Sequence, residues 1–264
     1  MTPPADLALF ARPGLAIWLV GAAFVAGLVD AIGGGGGLIS LPALLAVGLP
    51  PASAIATSKG QGIFGAISSF ASFWRRGGID RDRAPLGFAA GFAGSCAGAL
   101  ALMAMRPEPL RPVVIAVLIV ATVVMLTSRR QMASPRAWLA EGSAARTVAL
   151  AAIALVLGAY DGFFGPGTGS MLILAFVLVC GDSLTRASGN AKVVNLASNL
   201  AALLVFARRG TILWAIALPM AAANAIGAAL GARLALRRGD RLVRWVVLVV
   251  VLSVVIKLTR DLAP

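Results

Sequence analysis

Two aspartates and two lysines are the residues in this chain whose types and placement could do chemistry. Asp30 and Asp161 each sit near the end of an apolar run, three or four residues before a glycine cluster, whereas the other eight acidic residues fall in tails or loops. An ionisable side chain inside a membrane is costly and normally faces a cavity or a partner, which makes both carboxylates candidates for carrying protons. Capping the next helix by accepting its backbone N–H groups is the competing structural role, and the two are compatible. Lys59 and Lys192 are the only lysines besides Lys257, and each lies in an apolar segment 16 residues before a paired arginine. Such a lysine either snorkels to an interface or presents a point charge to an oxyanion. Its neighbours favour the second role. Thr57, Ser58 and Gln61 surround Lys59, while Asn190, Asn195 and Asn199 surround Lys192, and these hydroxyls and amides could complete an anion's coordination.

Glycines supply a third element. Residues 33–37 are five consecutive glycines after Asp30, and Gly165-Pro166-Gly167-Thr168-Gly169 follows Asp161. A glycine-rich turn that opens a helix points backbone N–H groups forward, and the helix dipole adds to their pull on an anion. Gly35, Gly36, Gly37, Gly167, Thr168 and Gly169 are therefore expected at the same site. Gly94 and Gly98, and likewise Gly227 and Gly231, read instead as close helix packing.

The elements that must position these residues are membrane helices. The chain has 264 residues, 59% hydrophobic and 12% charged, too greasy to cover itself in water. It has no histidine, which excludes His-dependent triads and imidazole metal sites. Cys96 and Cys180 form no CxxC and read as small apolar residues at helix interfaces. Twenty of the 23 cations fall in tails or between apolar runs, so the net charge of +13 reads as basic loops rather than a nucleic-acid footprint. No cleavable signal is expected, and no cofactor motif is present, including any P-loop of the GxxxxGK type.

A membrane helix needs about 20 apolar residues, and the candidates are 15–32, 54–74, 84–105, 112–128, 147–164, 187–207, 213–236 and 242–258. Two shorter runs, 37–49 and 169–181, either complete a crossing or re-enter as hairpins. Tryptophans near segment ends, among them Trp18, Trp74, Trp214 and Trp245, suit the headgroup level.

The halves repeat each other. Asp30 and its glycines answer to Asp161 and its glycines, Lys59 to Lys192, and Arg75-Arg76-Gly77-Gly78-Ile79 to Arg208-Arg209-Gly210-Thr211-Ile212. At that spacing Gly94 and Gly98 meet Gly227 and Gly231, and Arg111 meets Arg244. The expected organisation is one transmembrane transport domain over 1–264, with repeat 1 about 13–128, a linker at 129–146 and repeat 2 about 147–260. With an odd number of crossings per repeat, the loops 75–83, 129–146 and 237–244 share a side and hold 12 arginines against 4 opposite; an even number gives 10 against 6. The positive-inside rule thus leans toward inverted repeats of five segments, both termini outside. The fold class expected is an all-α polytopic membrane protein with short or broken helices after its glycine turns.

At these residues the sequence resembles the TauE/SafE family of sulfite exporter-like permeases, also called the toluene sulfonate uptake permease family. The likeness rests on Ala26-Gly27-Leu28-Val29-Asp30-Ala31-Ile32 running into the glycines, Leu41-Pro42-Ala43-Leu44-Leu45, and Ala56-Thr57-Ser58-Lys59. Its echo is Gly158-Ala159-Tyr160-Asp161-Gly162-Phe163-Phe164 leading into the Gly-Pro-Gly-Thr-Gly element, then Asn190-Ala191-Lys192. The resemblance spans nearly the whole chain. It implies transport of sulfite, sulfonates or related organosulfur or carboxylate anions across the inner membrane, linked to the proton gradient. The first half departs from the second in having Thr57-Ser58-Lys59 for Asn190-Ala191-Lys192, which leaves open whether both halves bind substrate alike.

The residues themselves reach a secondary transporter for a small anion, without enzymatic function. A passive anion channel would keep the pocket and drop the coupling, and a non-transporting membrane protein would have no ligand. The partners expected are a small anion, protons and the lipid bilayer, with no nucleic acid and no signal for an oligomeric state.

Overall fold

The computed structural model describes residues 13–105, 139–140 and 142–262, with side chains for these apart from 244 and 247–262. It is all-helical over the described residues, and no strand occurs among them. The helices are α1 Pro13–Gly33, α2 Gly37–Ala46, α3 Pro51–Arg75, α4 Ala84–Ala104, α5 Ala144–Phe163, α6 Thr168–Cys180, α7 Leu184–Arg208 and α8 Trp214–Leu262. Within α8, Gly239 leaves helical geometry at φ 64°, ψ −157°, so two helices join there, as the separate runs 213–236 and 242–258 suggest. The expected helix 112–128 and most of the linker 129–146 lie outside the described residues, as does Arg111; the side chain of Arg244 does too.

Among the described residues, five segments are long and apolar enough to cross a membrane: Pro13–Gly33, Ala84–Ala104, Ala144–Phe163, Leu184–Arg208 and Trp214–Val243. The expected span at 54–74 does form a helix, but α3 is not among the five. Its polar load explains the difference: Thr57, Ser58, Lys59, Gln61, Ser68, Ser69 and Ser72 dilute the apolar character a lipid-facing helix needs. α3 is instead an inner helix, packed against α7 and α8.

The contact pattern crosses the two halves. α1 packs along α8 and α5 along α4, while α3 lies on α8 and α7 on α4; α3 and α7 meet each other. Small residues make this possible. A Cβ at Gly94 or Gly98 would overlap the carbonyls of Leu155 and Ala159, and one at Gly227 or Gly231 those of Phe24 and Leu28. In both cases the partner carbonyls stand six and two residues before the aspartate of the opposing helix. Helix association in lipid depends on such close backbone approach, because lipid supplies no hydrophobic drive.

Large apolar side chains such as Ile17, Trp18, Val156, Leu218, Ile226 and Trp245 face outward, as a bilayer solvent requires. Two apolar clusters fill the ends of the bundle. One runs from Ile79 and Phe73 to Cys180, Leu184 and Val243, the other from Leu19 and Leu49 to Phe206, Ile212 and Ile216.

The described parts of the loops 75–83 and 237–244 and the start of α5 meet at the first of these ends. Arg83 Nη1 lies 3.1 Å from Asp182 Oδ1, Thr185 N donates to Asp240 Oδ1 at 2.8 Å, and Arg146 Nη2 donates to the Cys180 carbonyl at 2.8 Å. This is the arginine-rich end. The other end carries Arg208 and Arg209 beside the start of α3, where Leu213 N donates to Thr57 Oγ1 at 3.2 Å.

Candidate functional site

The site forms where the two glycine turns cross. At Gly34 the chain takes φ +76°, and a Cβ there would collide with the backbone of Gly169 and Ser170. Ser170 N donates to the Gly34 carbonyl at 3.2 Å, and Ser170 Oγ donates to the Gly33 carbonyl. Only glycine permits both the positive φ and this approach of backbone to backbone. The breaks after α1 and α5 are thereby stitched together, which brings Asp30 and Asp161 to one place.

Each aspartate takes a lysine from the other half. Lys59 Nζ lies 2.8 Å from Asp161 Oδ1, and Lys192 Nζ lies 3.2 Å from Asp30 Oδ2. Neither lysine snorkels. Lys192 has a side-chain exposure of 0% and also donates to the main-chain carbonyl of Asp30. Asp30 Oδ1 also accepts from Gly36 N at 3.4 Å, at the turn that leads into α2. Asp161 takes no helix N–H among the described residues and is held by Ser198 Oγ, which donates to Oδ2. Their burial differs: the Asp30 side chain is 30% exposed and that of Asp161 is 6%.

Around them lies a cavity of about 60 Å³. Of the residues expected from sequence, Asp30, Gly36, Gly37, Ser58, Lys59, Gln61, Asp161, Gly169, Asn195 and Asn199 line it. Gln61 is 2% exposed, and its Oε1 has no hydrogen-bond partner among the described residues. A buried amide oxygen without a partner is expensive, and a water or another donor in the cavity removes that cost.

The other expected residues are placed elsewhere. Lys192 stands behind Asp30, off the cavity wall. Thr57 receives the Leu213 N–H, and Asn190 accepts from Asp80 N at 2.8 Å while donating to Asp182 Oδ2 at 2.8 Å. Gly35, Gly167 and Thr168 do not line the cavity either; Thr168 closes its own turn by donating to the Gly165 carbonyl at 2.8 Å. At the start of α6, Thr168 N donates to the Gly165 carbonyl and Ser170 N to the Gly34 carbonyl, both at 3.2 Å, while Tyr160 Oη donates to the Pro166 carbonyl at 2.7 Å, so of the expected residues of this turn Gly169 is the one at the cavity. Nor is the site simply positive, since each ammonium is matched by a carboxylate.

Three contributors escape the sequence reading. Asn224 of α8 lines the cavity and donates to the Ala23 carbonyl at 3.1 Å, Ser40 of α2 shares a hydrogen bond of 3.0 Å with Ser58, and Ser198 secures Asp161. Asn224 carried a usable signal, being an amide in the run 213–236, where Arg233 is the one charged residue. Ser198 carried none, because serine is ordinary in a membrane helix.

The arginine-rich end holds a second polar cluster. Arg83 bridges Asp182 and Asp80, the latter at 2.9 Å, and Arg186 approaches Asp80 at 3.6 Å. Burial works against the Arg83 charge, but Asp182 and then Asp80 outweigh it and hold the guanidinium above the ordinary arginine range.

Fold and site together define a multi-pass membrane protein with a polar cavity between its helices, the build of a transporter. The chain belongs to the sulfite exporter TauE/SafE family, whose model matches residues 19–258. It is 36% identical over 248 residues to the "Probable membrane transporter protein YfcA" of Escherichia coli (strain K12), covering 90% of this chain and 87% of that one. It is 33% identical over 250 residues to the "Probable membrane transporter protein ORF9" of Sinorhizobium sp, covering 94% and 93%. No solved structure matches it significantly.

Proposed function

We propose that this chain is a secondary transporter that moves a small organosulfur or carboxylate oxyanion through the cavity, coupled to the proton gradient. The observation that carries this reading is the cavity itself, where Lys59 and the side-chain amides of Asn195 and Asn199 stand on one wall with Asp30 and Asp161, each aspartate paired to a lysine of the other half. Lysine and amide donors suit oxyanions, and the carboxylates supply groups that can exchange protons. At about 10–15 Å³ per water position, 60 Å³ accommodates about four to six water-sized groups, the scale of sulfite or a short sulfonate.

The halves are proposed to be inverted repeats, with Asp30, Lys59 and the first glycine turn answering to Asp161, Lys192 and the second. The crossed ion pairs and the matching glycine–carbonyl contacts support this. On the positive-inside rule, the end with Arg75, Arg76, Arg81, Arg83, Arg146, Arg237, Arg238 and Arg241 faces the cytoplasm.

The test is uptake into proteoliposomes, paired with thermal unfolding of purified protein against sulfite, sulfoacetate, methanesulfonate and acetate. Lys59→Gln and Lys192→Gln are expected to lower anion uptake by tenfold or more, on the order of 1.4 kcal/mol in binding, while Asp30→Asn and Asp161→Asn change its response to a pH gradient. Unchanged uptake and pH response in all four variants defeats the reading. Uptake that never exceeds equilibrium under a pH gradient makes the protein a passive channel.

A further inference from the structure

The two ion pairs are not equivalent, and the difference bears on what must enter with the anion. Resting on the transport reading above, we infer that Asp30 is the proton acceptor, that Asp161 stays charged, and that one proton accompanies each negative charge bound. The first step is a charge balance. With two lysines and two aspartates paired, the site is neutral, and the groups on the cavity wall itself are Lys59, Asp161 and Asp30. An anion therefore adds a net negative charge to a neutral site and lies against the carboxylates on the cavity wall unless one of them is neutralised, and like charges in a low-dielectric site repel strongly.

The second step decides which carboxylate. Asp30 is 30% exposed, while Asp161 is 6% exposed and fastened by both Lys59 and Ser198. The groups facing Asp30 are Lys192 from α7, the Gly36 N–H just before α2, backbone at Gly34 and Gly169, Asn224 from α8, and Lys59 and Asp161 across the cavity. Arg233 of α8 points outward and is exposed. A proton arriving from the cavity bonds to a carboxylate oxygen of Asp30 and ends its ion pair with Lys192. Lys192 is not stranded, because it also donates to the Asp30 main-chain carbonyl. Lys59 has no such second acceptor among the hydrogen bonds and ion pairs described, so protonation of Asp161 would leave a buried ammonium facing the cavity alone. A protonated Asp30 gives the site one net positive charge, and a monoanion returns it to neutrality.

The position matching Ser198 at the duplicated spacing is Gly65, against which the Asn224 amide packs. Asp30 thus lacks the hydroxyl that holds Asp161, so the functional asymmetry is written into one Ser–Gly difference.

The test uses full-length protein in proteoliposomes with methanesulfonate, which stays singly charged at any working pH. Wild type is expected to accumulate it about tenfold per unit of inward pH gradient, with one proton per anion by a trapped pH dye and no dependence on imposed membrane potential. Asp30→Asn is expected to abolish the pH-driven accumulation and make residual uptake follow the potential. Asp161→Asn is expected to lose uptake under both gradients. Potential-driven uptake by wild type, or an Asp30→Asn variant with wild-type pH response, overturns the inference while leaving the transport reading intact. Absence of uptake of methanesulfonate, sulfite and acetate under every gradient defeats the transport reading and this inference with it. The wild-type charge measurement needs no variant, so a misfolded Asp30→Asn protein does not spare the inference.

Discussion

The two ends of the α3–α7 pair are built at matching positions from opposite chemistry. Two residues before each lysine, a polar side chain accepts the first N–H beyond the opposing arginine pair's turn: Asn190 receives Asp80 N and Thr57 receives Leu213 N. Ten residues before each lysine the arginine-rich end has Asp182 and the other end Leu49; seven residues past each arginine pair stand Arg83 and Ile216. One end is closed by a charged lattice, the other by an apolar cluster that includes Leu49, Ile212 and Ile216. The shared hydrogen bond holds the geometry, and the side chains around it are free to differ. Charge also makes the first closure the more demanding one, because a half-dismantled buried ion pair costs more than an apolar contact of the same size.

That contrast can be broken most sharply at Arg83. Arg83→Met leaves Asp182, a side chain only 4% exposed, without its guanidinium, and is expected to destabilise the protein by on the order of 3 kcal/mol, read from thermal or denaturant unfolding in detergent. The double variant Arg83→Ile with Asp182→Leu copies the apolar end and is expected to recover part of that loss; a double variant worse than Arg83→Met would refute the account. Because Arg83 sits above the ordinary arginine range, its contribution is present below that range and lost only above it, so no weakening from this group is expected between about pH 5 and about pH 10. Asn190→Leu removes two hydrogen bonds, one to a carboxylate, for a loss of about 2 kcal/mol. Thr57→Val removes one neutral hydrogen bond at the apolar end and is expected to cost about 1 kcal/mol by the same measurement. Equal losses at Asn190 and Thr57 would erase the distinction between the ends.

Much of the site is legible in the chain because intramembrane charge is rare. Asp30, Asp161, Lys59 and Lys192 stand out against apolar neighbours, and the structure brings all four together. Which residues of a polar helical stretch face inward is a different matter. Ser58 and Gln61 reach the cavity while Thr57, their neighbour, turns to a loop; Asn195 and Asn199 reach it while Asn190, on the same helix, joins the charged end. Helical rotation and tilt set these directions, and neither follows from residue type. What the sequence does not show is the partner of each charge: the aspartates that it places beside the glycine turns of their own half pair with lysines of the other.

The sequence by itself determined that this is an all-helical membrane protein, where its helices break, and which four charges lie inside its apolar segments, since composition, glycine runs and the cost of burying charge are local properties of the chain. Tertiary structure alone decided that Asp30 pairs with Lys192 and Asp161 with Lys59, that Ser198 secures only one aspartate, and that Asn224 completes the wall. Those contacts join residues that only the stitching of Gly34 to Gly169 and Ser170, and the glycine-mediated packing of α1 on α8 and α5 on α4, bring within reach.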